Sequence, residues 1–206
     1  MFSWLKGQKS SPKNGTQSVI LSLPDDDTIG QQEVSNEYIN EMNDNDFLIL
    51  FGTESGTAEE FAFKMAEQIK VRCGQRSLVY DPAKCIFEGE FTKLASANTQ
   101  KTIIFITNTW DEGFPAANAT GMCDWLTKKV KEEEKNLLKG IDYTVFGLGD
   151  SKYDQFNVVA KAIDEQMETL GAQQVCPLGL GDESGDLRQD FDKWMELFFN
   201  KISRPI

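Results

Sequence analysis

Short apolar runs alternate with amphipathic segments from Asp46 onward, and this alternation restricts the fold more than any other feature of the sequence. The runs DFLILFG, SLVYD, KTIIFITN, DYTVFGLG and QQVCPLGLG have the length of strands that are buried on both faces. Between the first two lies TAEEFAFKMAEQIKVR, in which Phe61, Met65 and Ile69 recur every four residues, as on one face of a helix. The pattern predicts an α/β fold with a parallel sheet that is covered by helices on both sides.

Three further helices are predicted, over residues 118–134, 157–171 and 186–202. In the first of them, Met122, Trp125, Leu126 and Val130 fall on one side. The second is expected to stop at Gly171, a C-capping residue. The run KKVKEEEK at 128–135 is interpreted as an exposed helix face whose opposite charges are spaced for pairing.

The polar and acidic residues 1–45 are predicted to form a flexible segment ahead of one globular domain over 46–204. The stretch MFSWLKGQKSSPKNG has no apolar run long enough for a secretory signal or a membrane span. Phe2, Trp4 and Leu5 leave a weak surface anchor open as an alternative to a flexible tail. The chain ends soon after the last predicted helix, so no second nucleotide site for NADPH or FAD is expected within it.

Charge and composition exclude several functions. The formal net charge of −12 argues against nucleic acid and anionic membranes as partners and favours a basic protein surface. The sequence has no histidine, which excludes a histidine-ligated metal and Ser-His or Cys-His nucleophiles. The four cysteines form no CxxC pair and are interpreted as reduced core thiols in a cytoplasmic protein.

The first loop at a predicted strand end, FGTESGTAEEFA, combines hydroxyls, glycines and a helix start. It lacks the Gly-Lys-Ser/Thr of a P-loop and the spacing of GxGxxG. Thr53, Ser55 and Thr57 together with backbone N–H groups can cradle a phosphate without a cation. The alternative is a simple N-cap, with Thr57 capping the helix.

Two other loops place aromatic residues at the same edge of the sheet. Trp110 lies in NTWDEGFPAANA and Tyr153 in FGLGDSKYDQFN, each just past a predicted strand. Ligands of open parallel sheets bind at the carboxyl ends of the strands. Two aromatic rings near a phosphate loop therefore predict a flat heterocycle on a monophosphate arm, stacked between them.

These loops resemble the FMN-binding domain of the diflavin reductases, the group that contains NADPH–cytochrome P450 reductase. FGTESGTAEEFA is similar to the family's YGSQTGTAEEFA, and FGLGDSKYDQFN to its FGLGNxxYxxFN. The stretch LGAQQVCPLGLGDESGDLRQDFDKW, residues 170–194, is similar to the family's last strand and helix. The resemblance covers about residues 46–202 and implies a flavodoxin-like three-layer sandwich with a sheet of order 2-1-3-4-5.

The resemblance also implies the cofactor, FMN, and the residues around it. No catalytic residue and no metal site is expected. Three loops and one acid are expected to hold FMN: Thr53, Glu54, Ser55, Gly56, Thr57 and Ala58 at the phosphate; Asn108, Thr109, Trp110, Asp111, Glu112 and Gly113 at the edge of the isoalloxazine ring; Leu148, Gly149, Asp150, Tyr153, Gln155, Phe156 and Asn157 at its other face; and Glu183 near the rim.

Two positions depart from the family pattern. Trp110 stands where tyrosine is usual, and Asp111 where glycine is usual. A non-glycine residue in left-handed backbone costs about 1–2 kcal/mol. If reduction of the flavin requires that backbone, the cost lowers a one-electron potential by roughly 40–90 mV. Asp111 also adds negative charge beside the flavin. We therefore expect Asp111 to lower the potential of the first one-electron reduction.

The resemblance implies one-electron transfer from an NADPH/FAD reductase module, in the same chain or another, to a haem or iron–sulfur acceptor protein. Eight acids are expected to form a docking rim for a basic partner: Asp111, Glu112, Asp150, Asp154, Asp182, Glu183, Asp186 and Asp190. One alternative is a free-standing flavodoxin-like shuttle or binding module. Another is the flavodoxin-like portion of a tRNA-wybutosine-synthesis enzyme, whose LKGxxYxVFGLG is similar to residues 138–149; its radical-SAM cysteine cluster is missing from this sequence.

Overall fold

The structure, a computed structural model, describes residues 44–85, 87–88 and 101–202. The predicted flexible segment therefore lies outside the described residues, apart from Asp44 and Asn45, and so do residues 86, 89–100 and 203–204 of the predicted domain. The elements, in chain order, are β1 (Phe47–Gly52), α1 (Thr57–Cys73), β2 (Ser77–Tyr80), a 3-10 turn (Pro82–Lys84), β3 (Lys101–Trp110), β4 (Phe114–Pro115), a 3-10 turn (Ala117–Ala119), α2 (Thr120–Lys131), β5 (Ile141–Gly149), α3 (Val158–Thr169), β6 (Gln173–Gln174), β7 (Gly179–Asp182) and α4 (Leu187–Ile202).

The parallel sheet has the order β2-β1-β3-β5, with β6 and β7 both pairing with β5. Ile49 of β1 is in register with Val79 of β2 on one side and Ile104 of β3 on the other. If β6 and β7 are counted as one interrupted strand, the order is the predicted 2-1-3-4-5. The flavodoxin-like α/β fold is therefore confirmed.

The interruption of the last strand has a local cause. Pro177 has no backbone N–H to donate to a neighbouring strand. The hydroxyl of Thr144 donates instead to the carbonyl of Cys176 at 3.0 Å, and the indole N–H of Trp194 donates to the carbonyl of Pro177 at 3.0 Å. Side-chain bonds thus replace sheet bonds over this stretch, which periodicity alone had predicted as continuous strand.

The core lies on both faces of the sheet because alternate residues of each strand point to opposite sides. Leu48 and Phe105 belong to the cluster that packs under α2 and α3, whereas Ile49 and Ile104 belong to the cluster under α1 and α4. The predicted helix stripe of Phe61, Met65 and Ile69 is fully buried in the second cluster. All four cysteines are free thiols, and that of Cys176 is buried.

Helix α2 is shorter than predicted. It begins at Thr120 and ends at Lys131, and Glu133 adopts a left-handed φ of 58°. The run at 128–135 is also not uniformly exposed, because Lys129 is buried. Its ammonium group pairs with the carboxylates of Glu88, Glu132 and Glu134 at 2.9–3.2 Å, and these bonds raise its pKa above the ordinary value.

Helices α1 and α4 are joined along the surface by three ion pairs. They connect Lys64 with Asp192, Arg72 with Glu196 and Arg188 with Glu60. These pairs are solvent-exposed, and pairs of this kind contribute little individually. No helix among the described residues is both long enough and apolar enough to cross a membrane.

Candidate functional site

A cavity of about 850 Å³ opens at the carboxyl ends of β1, β3, β5 and β7. This is the edge where ligands of open parallel sheets bind. A smaller depression of about 540 Å³ lies on the surface of α4 and touches no strand end. The large cavity is lined by residues of all three predicted loops: Ser55, Asn108, Thr109, Trp110, Asp111, Glu112, Gly149, Asp150, Tyr153, Asp154, Gln155, Phe156 and Glu183.

The structure thus brings together twelve of the predicted site residues. Asp154, which the sequence pattern predicts only as part of the docking rim, also lines the cavity. Among the other predicted residues, Ala58, Leu148 and Asn157 are fully buried and do not line the cavity. The remainder lie beside it rather than on its wall: Thr53, Glu54, Gly56, Thr57 and Gly113.

The loop between β1 and α1 presents backbone N–H groups at the start of the helix. The N-cap residue of α1 is Gly56, which has a left-handed φ of 90°. The alternative in which Thr57 caps the helix is therefore wrong. The hydroxyl of Thr53 accepts from the Gly56 N–H at 2.8 Å, and the hydroxyls of Ser55 and Thr57 lie 3.2 Å apart. The N–H groups of Ser55 and of the first helical residues have no acceptor among the described residues, so they are available to an anion.

Asn118, which is not among the predicted site residues, holds this loop in place. Its side-chain carbonyl accepts from the N–H of Thr53 at 3.0 Å, and its amide donates to the carbonyl of Phe51 at 2.9 Å. The same amide donates to Asp81 at 3.1 Å. Asn118 therefore ties the loop after β1 to the segments that follow β2 and β4, and no local sequence signal marks a residue whose partners are so distant.

Trp110 lies on a strand and not in a loop. Strand β3 runs two residues beyond the predicted end because Thr109 and Trp110 pair antiparallel with β4. The turn is closed by the Gly113 N–H, which donates to the carbonyl of Trp110 at 3.1 Å. The indole remains 54% exposed, so most of its surface is free to contact a ligand.

Gly113 brings the tip of this hairpin against the third loop. Its φ of 99° is accessible to glycine at little cost. A Cβ added there would lie 3.1 Å from the side-chain oxygen of Gln155 and 3.2 Å from Val158. The turn that carries Trp110 therefore packs directly on the loop that carries Tyr153, whose ring is 66% exposed.

The third loop is fixed by carboxylates. Asp150 accepts from the N–H of Lys152 and from the hydroxyl of Ser184, and these bonds lower the pKa of its carboxyl group. Asp182 accepts from the N–H groups of Ser151 and Ser184, which lowers its pKa as well. Both acids stay ionised at neutral pH, so they contribute charge as well as structure.

The site fits FMN by three observations. Unpaired N–H groups lie at the start of α1 for the phosphate, and the exposed rings of Trp110 and Tyr153 line the cavity for the isoalloxazine. The side-chain oxygen of Asn108, on the same wall, is buried without a hydrogen-bond partner among the described residues. A buried polar atom of this kind ordinarily has a partner, and a polar edge of a flavin can supply one.

Comparison with known proteins gives the class of this protein. The sequence model of the flavodoxin family matches residues 49–194, so the chain belongs to that family. It is an FMN-binding, flavodoxin-like domain of the type found in NADPH–cytochrome P450 reductase. Its chemistry, at this level, is electron transfer through FMN.

Individual relatives agree with this class. The chain is 36% identical to the NADPH–cytochrome P450 reductases of Rattus norvegicus and Homo sapiens over 157 residues, and 37% identical to that of Cavia porcellus over 158 residues. The match covers 75% of this chain and 22% of each relative. Among solved structures, the flavodoxin of Streptococcus pneumoniae superposes with a TM-score of 0.60 at 22% identity, over 76% of this chain and 97% of that one.

Asp111 adopts a left-handed φ of 45° in the structure. Its backbone therefore already has the left-handed conformation that glycine adopts at little cost. The strain of that conformation is present before the flavin is reduced, so reduction does not add it. Charge then becomes the main difference between Asp111 and glycine when the flavin gains an electron. Asparagine tolerates left-handed backbone much as aspartate does, so Asp111→Asn separates the effect of charge from that of backbone strain.

We expect Asp111→Gly to raise the potential of the one-electron step in which the flavin becomes anionic by roughly 40–90 mV, because two unit charges about 8–16 Å apart interact by about 1–2 kcal/mol at an effective dielectric constant of about 20. Asp111→Asn should reproduce most of this shift, because it removes the charge and keeps the backbone preference. A spectroscopic redox titration of the three proteins measures the effect. Unchanged potentials in both variants would show that Asp111 does not influence the flavin.

Proposed function

We propose that this domain carries single electrons from an FAD/NADPH reductase module to a haem or iron–sulfur acceptor protein. The observation that carries the proposal is that two of the aromatic side chains lining the flavin cavity, Trp110 and Tyr153, are more than half exposed. A ring held there lies close to the protein surface, where a partner protein can approach it. The identity to NADPH–cytochrome P450 reductases supports the direction of transfer.

Bound FMN supplies the one-electron chemistry, and the residues of the chain bind and orient it. The N–H groups at the start of α1 hold the phosphate. Trp110 and Tyr153 fix the plane of the ring by stacking, and Asn108 accepts a hydrogen bond from its polar edge. No side chain needs to act as a general acid or base.

Five acids of the predicted docking rim line the cavity: Asp111, Glu112, Asp150, Asp154 and Glu183. The other three acids of the predicted rim, Asp182, Asp186 and Asp190, do not line the cavity. Asp186 accepts from the Gln189 N–H at the start of α4, and Asp190 accepts from the Asp182 N–H. The five acids around the cavity are the candidate surface for a basic acceptor. Charges of this kind steer the encounter more than they strengthen the complex.

Electron transfer to a basic haem protein is expected to slow about tenfold between low and high salt, because screening removes the attraction between exposed charges. Asp154→Asn, which removes one exposed cavity acid, should slow the reaction at low salt and flatten this dependence. Glu165→Gln, an exposed acid on α3 away from the cavity, is the matched control. Stopped-flow kinetics at several ionic strengths measures both effects, and a flat dependence in the wild-type protein would contradict the proposed docking surface.

The free-standing shuttle and the tRNA-wybutosine alternative are less well supported, since the curated relatives at 36–37% identity are NADPH–cytochrome P450 reductases. The chain spans about a fifth of the length of those relatives. The reductase module is accordingly part of the proposal. The cytoplasmic location inferred from the thiols, and a surface anchor at the N-terminus, stay predictions.

A further inference from the structure

Glu54 makes a contact that its position in the phosphate loop does not require. Its carboxylate accepts a hydrogen bond from the backbone N–H of Ala117 at 2.7 Å, although the two residues are 63 positions apart. In the opposite direction, the N–H of Thr53 donates to the side chain of Asn118 at 3.0 Å. Two bonds therefore clamp the phosphate loop to residues 117–118.

This clamp joins the two halves of the cavity. Only Ala116 separates residues 117–118 from β4, and β4 is paired with the end of β3 that carries Trp110. The packing beneath it is tight, because a Cβ added to Gly52 would lie 2.4 Å from the hydroxyl of Thr107 and 2.9 Å from Ala119. A displacement of residues 117–118 would therefore alter both the phosphate loop and the hairpin that presents the indole.

Glu54 also places a negative charge in a loop that lacks a positive one. Residues 53–60 contain no lysine or arginine, and Glu59 and Glu60 add two more acids. The guanidinium of Arg188 is paired with Glu60. A phosphate monoester carries a charge of about −1.5 to −2 at neutral pH, so it is repelled by Glu54 while it is held by the N–H groups.

We propose that Glu54 is a positioning residue with two opposed effects: its hydrogen bond holds the flavin site together, and its charge weakens binding of the phosphate arm. The proposal rests on the FMN site described above. The charge of Glu54 acts on FMN, which carries the phosphate, and not on riboflavin, which lacks it. The preference of this domain for FMN over riboflavin is therefore smaller than the backbone N–H groups alone would give. Glutamine at this position would keep the hydrogen-bond acceptor and remove the charge, whereas alanine would remove both.

The experiment is to measure dissociation constants of FMN and riboflavin by titration of flavin fluorescence for the wild-type protein, Glu54→Gln and Glu54→Ala. We expect Glu54→Gln to bind FMN about fivefold more tightly at low salt, with riboflavin unchanged, because one charge near a phosphate is removed. We expect Glu54→Ala to bind riboflavin about tenfold more weakly, since the clamp is lost. In that variant FMN should weaken only about twofold, because the two effects oppose each other.

High salt should reduce the gain in FMN affinity of Glu54→Gln, and it should leave the loss of riboflavin affinity in Glu54→Ala unchanged. Glu67→Gln, an exposed acid farther along α1, is the control for general charge and should change neither constant. If Glu54→Gln does not tighten FMN, the charge effect is overturned. If Glu54→Ala, shown to be folded by thermal unfolding, binds riboflavin as the wild-type protein does, the clamp is overturned. A wild-type protein that binds neither flavin would instead refute the FMN site itself.

Discussion

Trp110→Ala is expected to bind FMN about 10- to 140-fold more weakly than the wild-type protein. Stacking of an aromatic pair contributes about 0.5–1.5 kcal/mol beyond area burial, and covering one face of the indole adds about 1–1.5 kcal/mol at the usual coefficient for apolar surface. The sum is about 1.5–3 kcal/mol, and every 1.4 kcal/mol is about tenfold in affinity. Titration of the apoprotein with FMN measures the change.

Two variants make this test specific. Phe63→Ala removes an aromatic side chain that is similarly exposed, at 57% against 54%, but lies on α1 outside the cavity wall; it should leave FMN affinity unchanged. Trp110→Tyr should restore most of the binding, because a smaller ring still stacks. Equal affinities of Trp110→Ala and the wild-type protein would mean that the indole does not contact the cofactor.

Gly147→Ala is expected to lower the free energy of unfolding by about 3 kcal/mol, the upper part of the range for overpacking a close contact. An added Cβ would lie 2.5 Å from the side-chain oxygen of Asn157 and 2.6 Å from the Cβ of Ala160. Asn157 is fully buried, has a φ of 55° and donates to the carbonyl of Gly181 at 3.0 Å, so it cannot withdraw easily. The loop that carries Tyr153 ends at this residue, and FMN binding should weaken as well.

Urea denaturation measures this loss, and Gly121→Ala provides the control. Gly121 lies in α2, and apart from the adjacent residues and the backbone of its own helix, no atom of the part of the chain that the structure describes comes within 4 Å of the added Cβ. The same substitution there should stabilise the domain by about 0.5 kcal/mol, because alanine loses less backbone entropy on folding than glycine does. Similar free energies of unfolding for the two variants would contradict the close approach of α3 to β5.

The elements that sequence reasoning predicted well are those that local pattern determines. Phe61, Met65 and Ile69 repeat at helical spacing and are buried together, and the apolar runs of β1, β3 and β5 are central strands. The loops at their ends meet because the carboxyl ends of parallel strands lie on one edge. Tyr153 and Trp110, which lie 43 positions apart in the sequence, therefore line one cavity.

The features that were missed depend on partners distant in sequence. Asn118 is defined by its bonds to Thr53 and Phe51, and the burial of Lys129 by three carboxylates, one of them at Glu88. The extension of β3 to Trp110 requires β4, a strand of two residues without a recognisable pattern. Each of these features depends on tertiary contacts, and the spacing of residues along the sequence does not reveal such contacts.

Electron transfer by this domain requires FMN to bind in the cavity that Trp110 and Tyr153 line. The visible absorption spectrum of the purified protein, reconstituted with FMN and followed through a reductive titration, tests this most directly. We predict protein-bound flavin bands that bleach in two one-electron steps in the wild-type protein, and loss of bound flavin in the Trp110→Ala, Tyr153→Ala double variant. A colourless protein that takes up no FMN, or a double variant that retains the wild-type spectrum, would contradict the account.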